Sequence, residues 1–169
     1  MDKIWVTSDT HFGHTNIIKY CNRPYSNVAE MDNALITNIN SLVAQEDTLI
    51  HAGDFCFGDY NAIINYRKRI NCQNIHLVLG NHDRMIKANR FRLENIFKTV
   101  DDYRVIKVGN QIYIINHYPI DIERSQEKQV HMLKLIANCS AKYLFGHTHK
   151  SEPYNIGVDA HNYFPILLS

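Results

Sequence analysis

Thr48-Leu49-Ile50-His51-Ala52-Gly53-Asp54 decides the reading of this chain. A short apolar run stops at a glycine and a carboxylate, the pattern of a buried strand that feeds a tight polar loop. The same grammar occurs before it, where Ile4 to Ser8 runs into Asp9-Thr10-His11. It occurs again where Ile75 to Leu79 runs into Gly80-Asn81-His82-Asp83. Helical patterns fill the gaps. Asn27 and Glu30 make a capping box for a helix with Met31, Leu35, Ile39 and Leu42 on one face. Asp59 can cap a second helix, Tyr60 to about Ile70. Strand, polar tip, helix, strand is βαβ connectivity, which predicts parallel strands covered by helices.

Further along, Asn16 to Tyr20 reads as a short helix and Arg90 to Phe97 as a short helix or an irregular link. Tyr103 to Val108 and Gln111 to Asn116 read as strands joined at Gly109-Asn110 by a type I′ turn. Ser125 to about Asn138 is helical in pattern, and Tyr143 to Phe145 is a brief strand ending in Gly146-His147-Thr148-His149. Asn155 to Val158 and Phe164 to Leu168 read as closing strands. One α/β domain over residues 1–169 accommodates all of this.

The 18 basic and 17 acidic residues leave a net charge of +1, so no global field argues for nucleic acid or a membrane, although a local basic patch stays open. No stretch approaches the ~18 apolar residues of a membrane span. Cys21, Cys56, Cys72 and Cys139 form no CxxC pair, which points to a cytoplasmic protein with reduced thiols. The unusual number is ten histidines against seven glycines, because histidine is the neutral-pH metal ligand and proton carrier.

Those histidines concentrate at strand ends: Asp9 and His11; Asp54; Asn81, His82 and Asp83; His117; His147 and His149. Ligands of α/β sheets bind outside the carboxyl ends of the strands, where adjacent tips converge. Imidazole nitrogens with carboxylate oxygens suit zinc, iron, manganese or nickel. Asp9, His11, Asp54, Asn81, His117, His147 and His149 are too many ligands for one ion that must also admit a substrate. Two ions about 3.5 Å apart, sharing one carboxylate, can use them. Asp9 and His11 alternate along the chain, as do His147 and His149, so a turn between the members of each pair must bring them together.

These motifs, in this order from residue 9 to residue 149, resemble those of the calcineurin-like metallophosphoesterase superfamily. The resemblance implies an α/β fold of two mixed β-sheets packed as a sandwich and flanked by helices, in four layers α/β/β/α. It implies that Asp9, His11 and His149 hold one metal, that Asn81, His117 and His147 hold a second, and that Asp54 bridges them. The cofactor would be two divalent transition-metal ions, with manganese preferred over iron, zinc or nickel. His82 would face the substrate phosphate or the leaving oxygen, with Asp83 either on its far ring nitrogen or capping the next helix. The implied reaction is hydrolysis of a phosphate ester by direct attack of a bridging hydroxide, with a phosphodiester preferred. Phosphomonoesters, nucleotide pyrophosphates, nucleic acids and a non-catalytic protein-binding scaffold are the alternatives.

Around this centre, His14, Arg23, Arg84 and Tyr118 are candidate substrate contacts, with ordinary loop roles as the competing reading for His14 and Arg23. Phe12, Phe55 and Phe57 are read as core rather than as base platforms, and Cys56 as a thiol near enough to the site to be redox-sensitive. The expected partner is a small phosphate ester or nucleotide, with no membrane. The sequence leaves the oligomeric state open.

Overall fold

The three strand–tip–helix units form one sheet. The computed structural model describes residues 2–93, 95–120, 136 and 140–169. Strands β1 (Ile4–Thr7), β2 (Thr48–His51), β3 (Asn74–Val78) and β4 (Thr99–Asp101) pair in parallel, each beside the next. A second sheet holds β5 (Arg104–Val108) antiparallel to β6 (Gln111–Ile115), and β6 is parallel to β7 (Lys142–Leu144). Strand β8 (Ile166–Leu167) returns to the first sheet, antiparallel to β1.

Alternation along the strands builds two cores. Trp5, Leu49, Ile75 and Leu77 face helices α1 (Thr15–Tyr20), α2 (Val28–Leu42) and α3 (Tyr60–Arg69), and pack with Ile17, Met31, Leu35, Ile39 and Ile63. Val6, Ile50 and Val78 face the second sheet and pack with Tyr113, Ile115 and Leu144. The Asn27 side chain accepts from Glu30 N and the Asp59 side chain from Ala62 N, so both caps form as the sequence requires. Helix α4 (Arg84–Ala88) and a 3-10 turn, Arg90–Leu93, follow β3. No helix among the described residues is long and apolar enough to cross a membrane.

Three expectations need correction. The buried face of α2 uses Ile36 rather than Leu42, which is 41% exposed because the chain turns extended at Val43 and buries that residue instead. The hairpin turn has positive φ at Gly109 (56°) but not at Asn110, the sign pattern of type II′ rather than I′. Asn155 to Val158 is not a strand. It makes isolated bridges, Phe145 to Asn155 and Ser8 to Gly157, and passes into a 3-10 turn at Val158–Ala160. The Asn155 amide there donates to Thr148 Oγ1 and the Lys150 carbonyl, holding a loop in place of a ladder. The helix expected over 125–138 falls outside the described residues except for Ile136, which packs beside Ile114 and Ala141 on the outer side of the second sheet.

Candidate active site

Strand register brings the tips together. Thr7 pairs with His51 and His51 with Leu77, so the loops that carry Asp9, Asp54 and Asn81 leave the sheet abreast. Ile115 pairs with Leu144, which sets His117 beside His147 in the same way. Backbone bonds from Asp9 N to the Gly53 carbonyl (3.0 Å) and from His11 N to the Asp54 carbonyl (2.9 Å) tie the first two loops together.

Five of the seven candidate ligands sit in the left-handed region: Asp9 (φ 58°), His11 (51°), Asp54 (55°), His147 (70°) and His149 (55°). Such backbone costs of order 1–3 kcal/mol per residue and persists where its surroundings over-determine it. It is the turn that lets Asp9 and His11 reach one spot with His149, whereas the His147 ring stands beside His117, with centroids 5.1 Å apart. The preceding glycines follow from crowding. A Cβ on Gly80 would collide with the Asp54 carboxylate, and one on Gly146 with Ser8 Oγ and the Asp9 carboxylate.

Among the described residues the donor atoms form three overlapping groups, Asp9–His11–His149, Asp9–Asp54–His117 and, behind the first, Cys21–His149–Asp159. Asp54 Oδ2 lies 3.4 Å from His11 Nε2 and 3.5 Å from His117 Nε2. The other Asp54 oxygen accepts from His82 N at 2.8 Å. His117 Nδ1 donates to the Ala52 carbonyl (2.9 Å), which leaves Nε2 as the lone-pair nitrogen, 3.0 Å from Asn81 Oδ1. His11 Nε2 is buried with no hydrogen-bond partner. Burial, with the charge of His149 nearby, pushes the His11 imidazole far below its ordinary range, so it is neutral. Burial lowers His117 to about 4 against the pull of Asp54. It lifts Asp9 to about 7, although His149 and the His147 N–H favour the charged form. Buried carboxylates that face the neutral imidazole nitrogens of His11 and His117 are the electrostatic outline of a cation site.

Behind this cluster runs a relay that the sequence did not reveal. His149 Nδ1 bonds Asp159 Oδ2 at 2.7 Å, which turns Nε2 toward Asp9, 4.0 Å away. Burial pulls His149 down, but the bond to Asp159, Cys21 and the Asp9 charge lift it to about 10. Arg23 grips the same Asp159 with Nε and an Nη, each at 2.8 Å, and donates to the main-chain carbonyls of Asp9 (2.7 Å) and Thr10 (3.0 Å). Arg23 is therefore not a substrate contact. Its guanidinium is buried under the first loop and fixes that loop to the 3-10 turn Val158–Ala160.

Asp83 also departs from its expected place. It occupies the N-cap position of α4, but its side chain makes no cap bond there and none to the His82 ring. Its carboxylate accepts from Asp54 N (2.7 Å), Gly80 N (2.8 Å) and Phe55 N (2.9 Å), stapling the β2 loop to the β3 loop. Burial outweighs these three N–H bonds and raises it to about 6. Asp83 is a positioning residue. Cys56 is likewise buried, and its thiol is pushed up to about 12, which argues against redox sensitivity. His51 Nε2 meets Thr10 Oγ1 at 2.9 Å, and that hydroxyl donates to the Phe55 carbonyl at 2.7 Å, so the His51 ring supplies the proton between them.

The outer rim is open. His82 is exposed, with its ring centroid 5.3 Å from His11 and 6.0 Å from His14. His14 stacks on Phe57 at 4.6 Å and 17°. Phe12 and Phe55 are fully buried, whereas Phe57 is 52% exposed. Tyr118 stands edge-on to His117 and His147, at 4.8 and 5.0 Å. Arg84 joins Phe57, Gly58, His82 and Met85 around a groove of about 520 Å³.

Residues 3–161 match the calcineurin-like phosphoesterase superfamily domain, and the chain belongs to that family. It is 31% identical over 182 residues to an uncharacterised protein of Methanocaldococcus jannaschii, a match that covers 99% of this chain and 88% of the relative. It is 27% identical over 184 residues to the gene 66 protein of Mycobacterium phage L5, covering 95% of this chain and 88% of the relative. Among solved structures it resembles a protein of unknown function from Aquifex aeolicus, with a TM-score of 0.74 and 26% identity over 99% of this chain and 96% of the other.

Proposed function

We propose that this chain is a phosphodiesterase that works with two divalent transition-metal ions. One observation carries the reading: Asp54 Oδ2 lies between the Nε2 atoms of His11 and His117, and the first of these is buried, neutral and without a partner. Asp9, His11 and His149 would hold one ion, Asn81, His117 and His147 the other, with Asp54 shared. Manganese is the preferred metal. When bound, such ions supply Lewis-acid stabilisation of phosphoryl oxygens and lower the pKa of water.

The chain's own residues do the rest. Arg23 and Asp159 orient His149, and Asp83 fixes the backbone on both sides of Asp54. His82, free on the solvent side, can donate a proton to a departing alkoxide, which favours a diester over a monoester. His14, on the same rim, can contact a phosphate oxygen, as can Tyr118. The whole chain acts as one domain, and the family match over residues 3–161 supports that.

The test is hydrolysis of aryl phosphodiesters and monoesters by chelator-treated protein resupplied with manganese, nickel, zinc or iron. Diester turnover restored by a metal, and faster than monoester turnover, supports the reading. No turnover of either ester with any of the four metals contradicts it.

A further inference from the structure

Charge in this chain is balanced overall but unevenly placed. Residues 84–98 contain Arg84, Lys87, Arg90, Arg92 and Lys98 against a single acid, Glu94. Of the chain's 18 basic and 17 acidic residues, that stretch takes five and one, which leaves 13 and 16 elsewhere: +4 here and −3 in the rest. The stretch begins next to His82 and Asp83.

Its cations border open surface. Arg84 lines the groove that starts at His82 and is floored by Phe57 and Met85. Lys87 follows on the next turn of α4 and is exposed. Arg92 lies over the Tyr60 ring at 4.4 Å, two residues beyond Gly58 of the same groove. Arg90 and Lys98 flank a second cleft of about 150 Å³ beside Phe91. Phe91 is 82% exposed, an unusual position for a large apolar ring. Asp101 is paired with Arg104 at 2.9 Å, and the Asp59 side chain caps α3.

Cations interleaved with exposed aromatic faces are the chemistry that recognises single-stranded nucleic acid. The cations follow phosphates and release counterions, while the rings stack on unpaired bases. We propose that Arg84, Lys87, Arg90, Arg92 and Lys98, with Phe57 and Phe91, form a track for single-stranded nucleic acid that leads away from the candidate metal site on the His82 side. The substrate would then be a polynucleotide cut at a phosphate held beside His82. This deepens the phosphodiesterase reading and rests on it.

Binding tests the track without catalysis. Chelator-treated protein is titrated into a labelled 12-nucleotide oligothymidylate and followed by fluorescence anisotropy. Affinity should fall with salt, with a log–log slope of about −3 to −4 for five phosphate contacts on a single strand. Lys87→Glu with Lys98→Glu should weaken binding at least ~10-fold and flatten the slope, and Phe91→Ala should weaken it at least ~5-fold with the slope kept. These three side chains are exposed and make no hydrogen bond among the described residues, so unchanged melting temperatures should accompany the losses. Absent binding at about 50 mM salt, binding unaffected by the charge reversal, or tighter binding to anionic vesicles or an acidic peptide would each overturn the track. Hydrolysis of small aryl diesters, measured in parallel, separates the two readings. Diester turnover without oligonucleotide binding removes the track alone, and binding without any metal-supported diester turnover removes the phosphodiesterase alone.

Discussion

The inner and outer halves of the site are built on opposite plans. The inner half is tightly bonded apart from His11 Nε2: Asp54, Asp83, Asp159 and His117 use carboxylate oxygens or ring nitrogens on main-chain or side-chain partners, and little can move alone. The outer half is looser: His82, Phe57 and Arg84 stand exposed around a groove, with the half-buried His14 stacked on Phe57. Rigidity sits where the proposed cations would be gripped, and freedom sits where a substrate would be chosen. Changes to the inner half should therefore abolish function or folding, and changes to the rim should alter rates and preferences.

Asp54→Ala should have the largest effect, because it removes the carboxylate between His11 and His117. Loss of roughly 10³-fold or more in diester turnover, about 4 kcal/mol, is expected together with loss of metal measured by elemental analysis. Full metal content in this variant would break the distinction between halves. His82→Ala should retain metal and slow turnover by about 10²–10⁴-fold, most for poor leaving groups. A loss independent of leaving-group pKa would remove its role as an acid.

Asp83→Asn sharpens the inner half as structure. It replaces an acceptor of three main-chain N–H groups with an amide that can present only one oxygen. A destabilisation of about 2–4 kcal/mol is expected by denaturant unfolding, since each bond to a charged acceptor contributes about 1.5–3 kcal/mol. An unchanged midpoint would contradict the staple.

The pH dependence of the metal-free protein is smaller. Burial holds His51 near 3 and His76 near 4, both below their ordinary value of 6.5. Each must shed its proton to fold, so the stability they contribute is present above about 6.5 and lost as pH falls toward those values. Asp9 and Asp83, raised by burial to about 7 and about 6, act the opposite way and offset part of the loss. A melting temperature that drops by about 5 °C between neutral pH and pH 4 is expected for chelator-treated protein, with a flat or rising profile as the contrary result.

Much of this contrast was legible in the sequence. Gly53-Asp54, Gly80-Asn81 and Gly146-His147 advertise tight loops at strand ends, and register then guarantees that they meet. What stayed hidden depends on packing between distant loops. Asp159 and Arg23 are 136 residues apart, and nothing local links either to His149. Asp83 follows His82, which invites a catalytic pairing, but the folded backbone turns its carboxylate under Asp54 instead. Phe12, Phe55 and Phe57 are the same residue type beside the same site, and only the fold separates two core rings from one exposed face.

The most direct measurement is calorimetric titration of manganese into chelator-treated protein. The account predicts two ions bound per chain, with proton release as the His149 and Asp9 sites take up metal. A single ion per chain, or none, would contradict it.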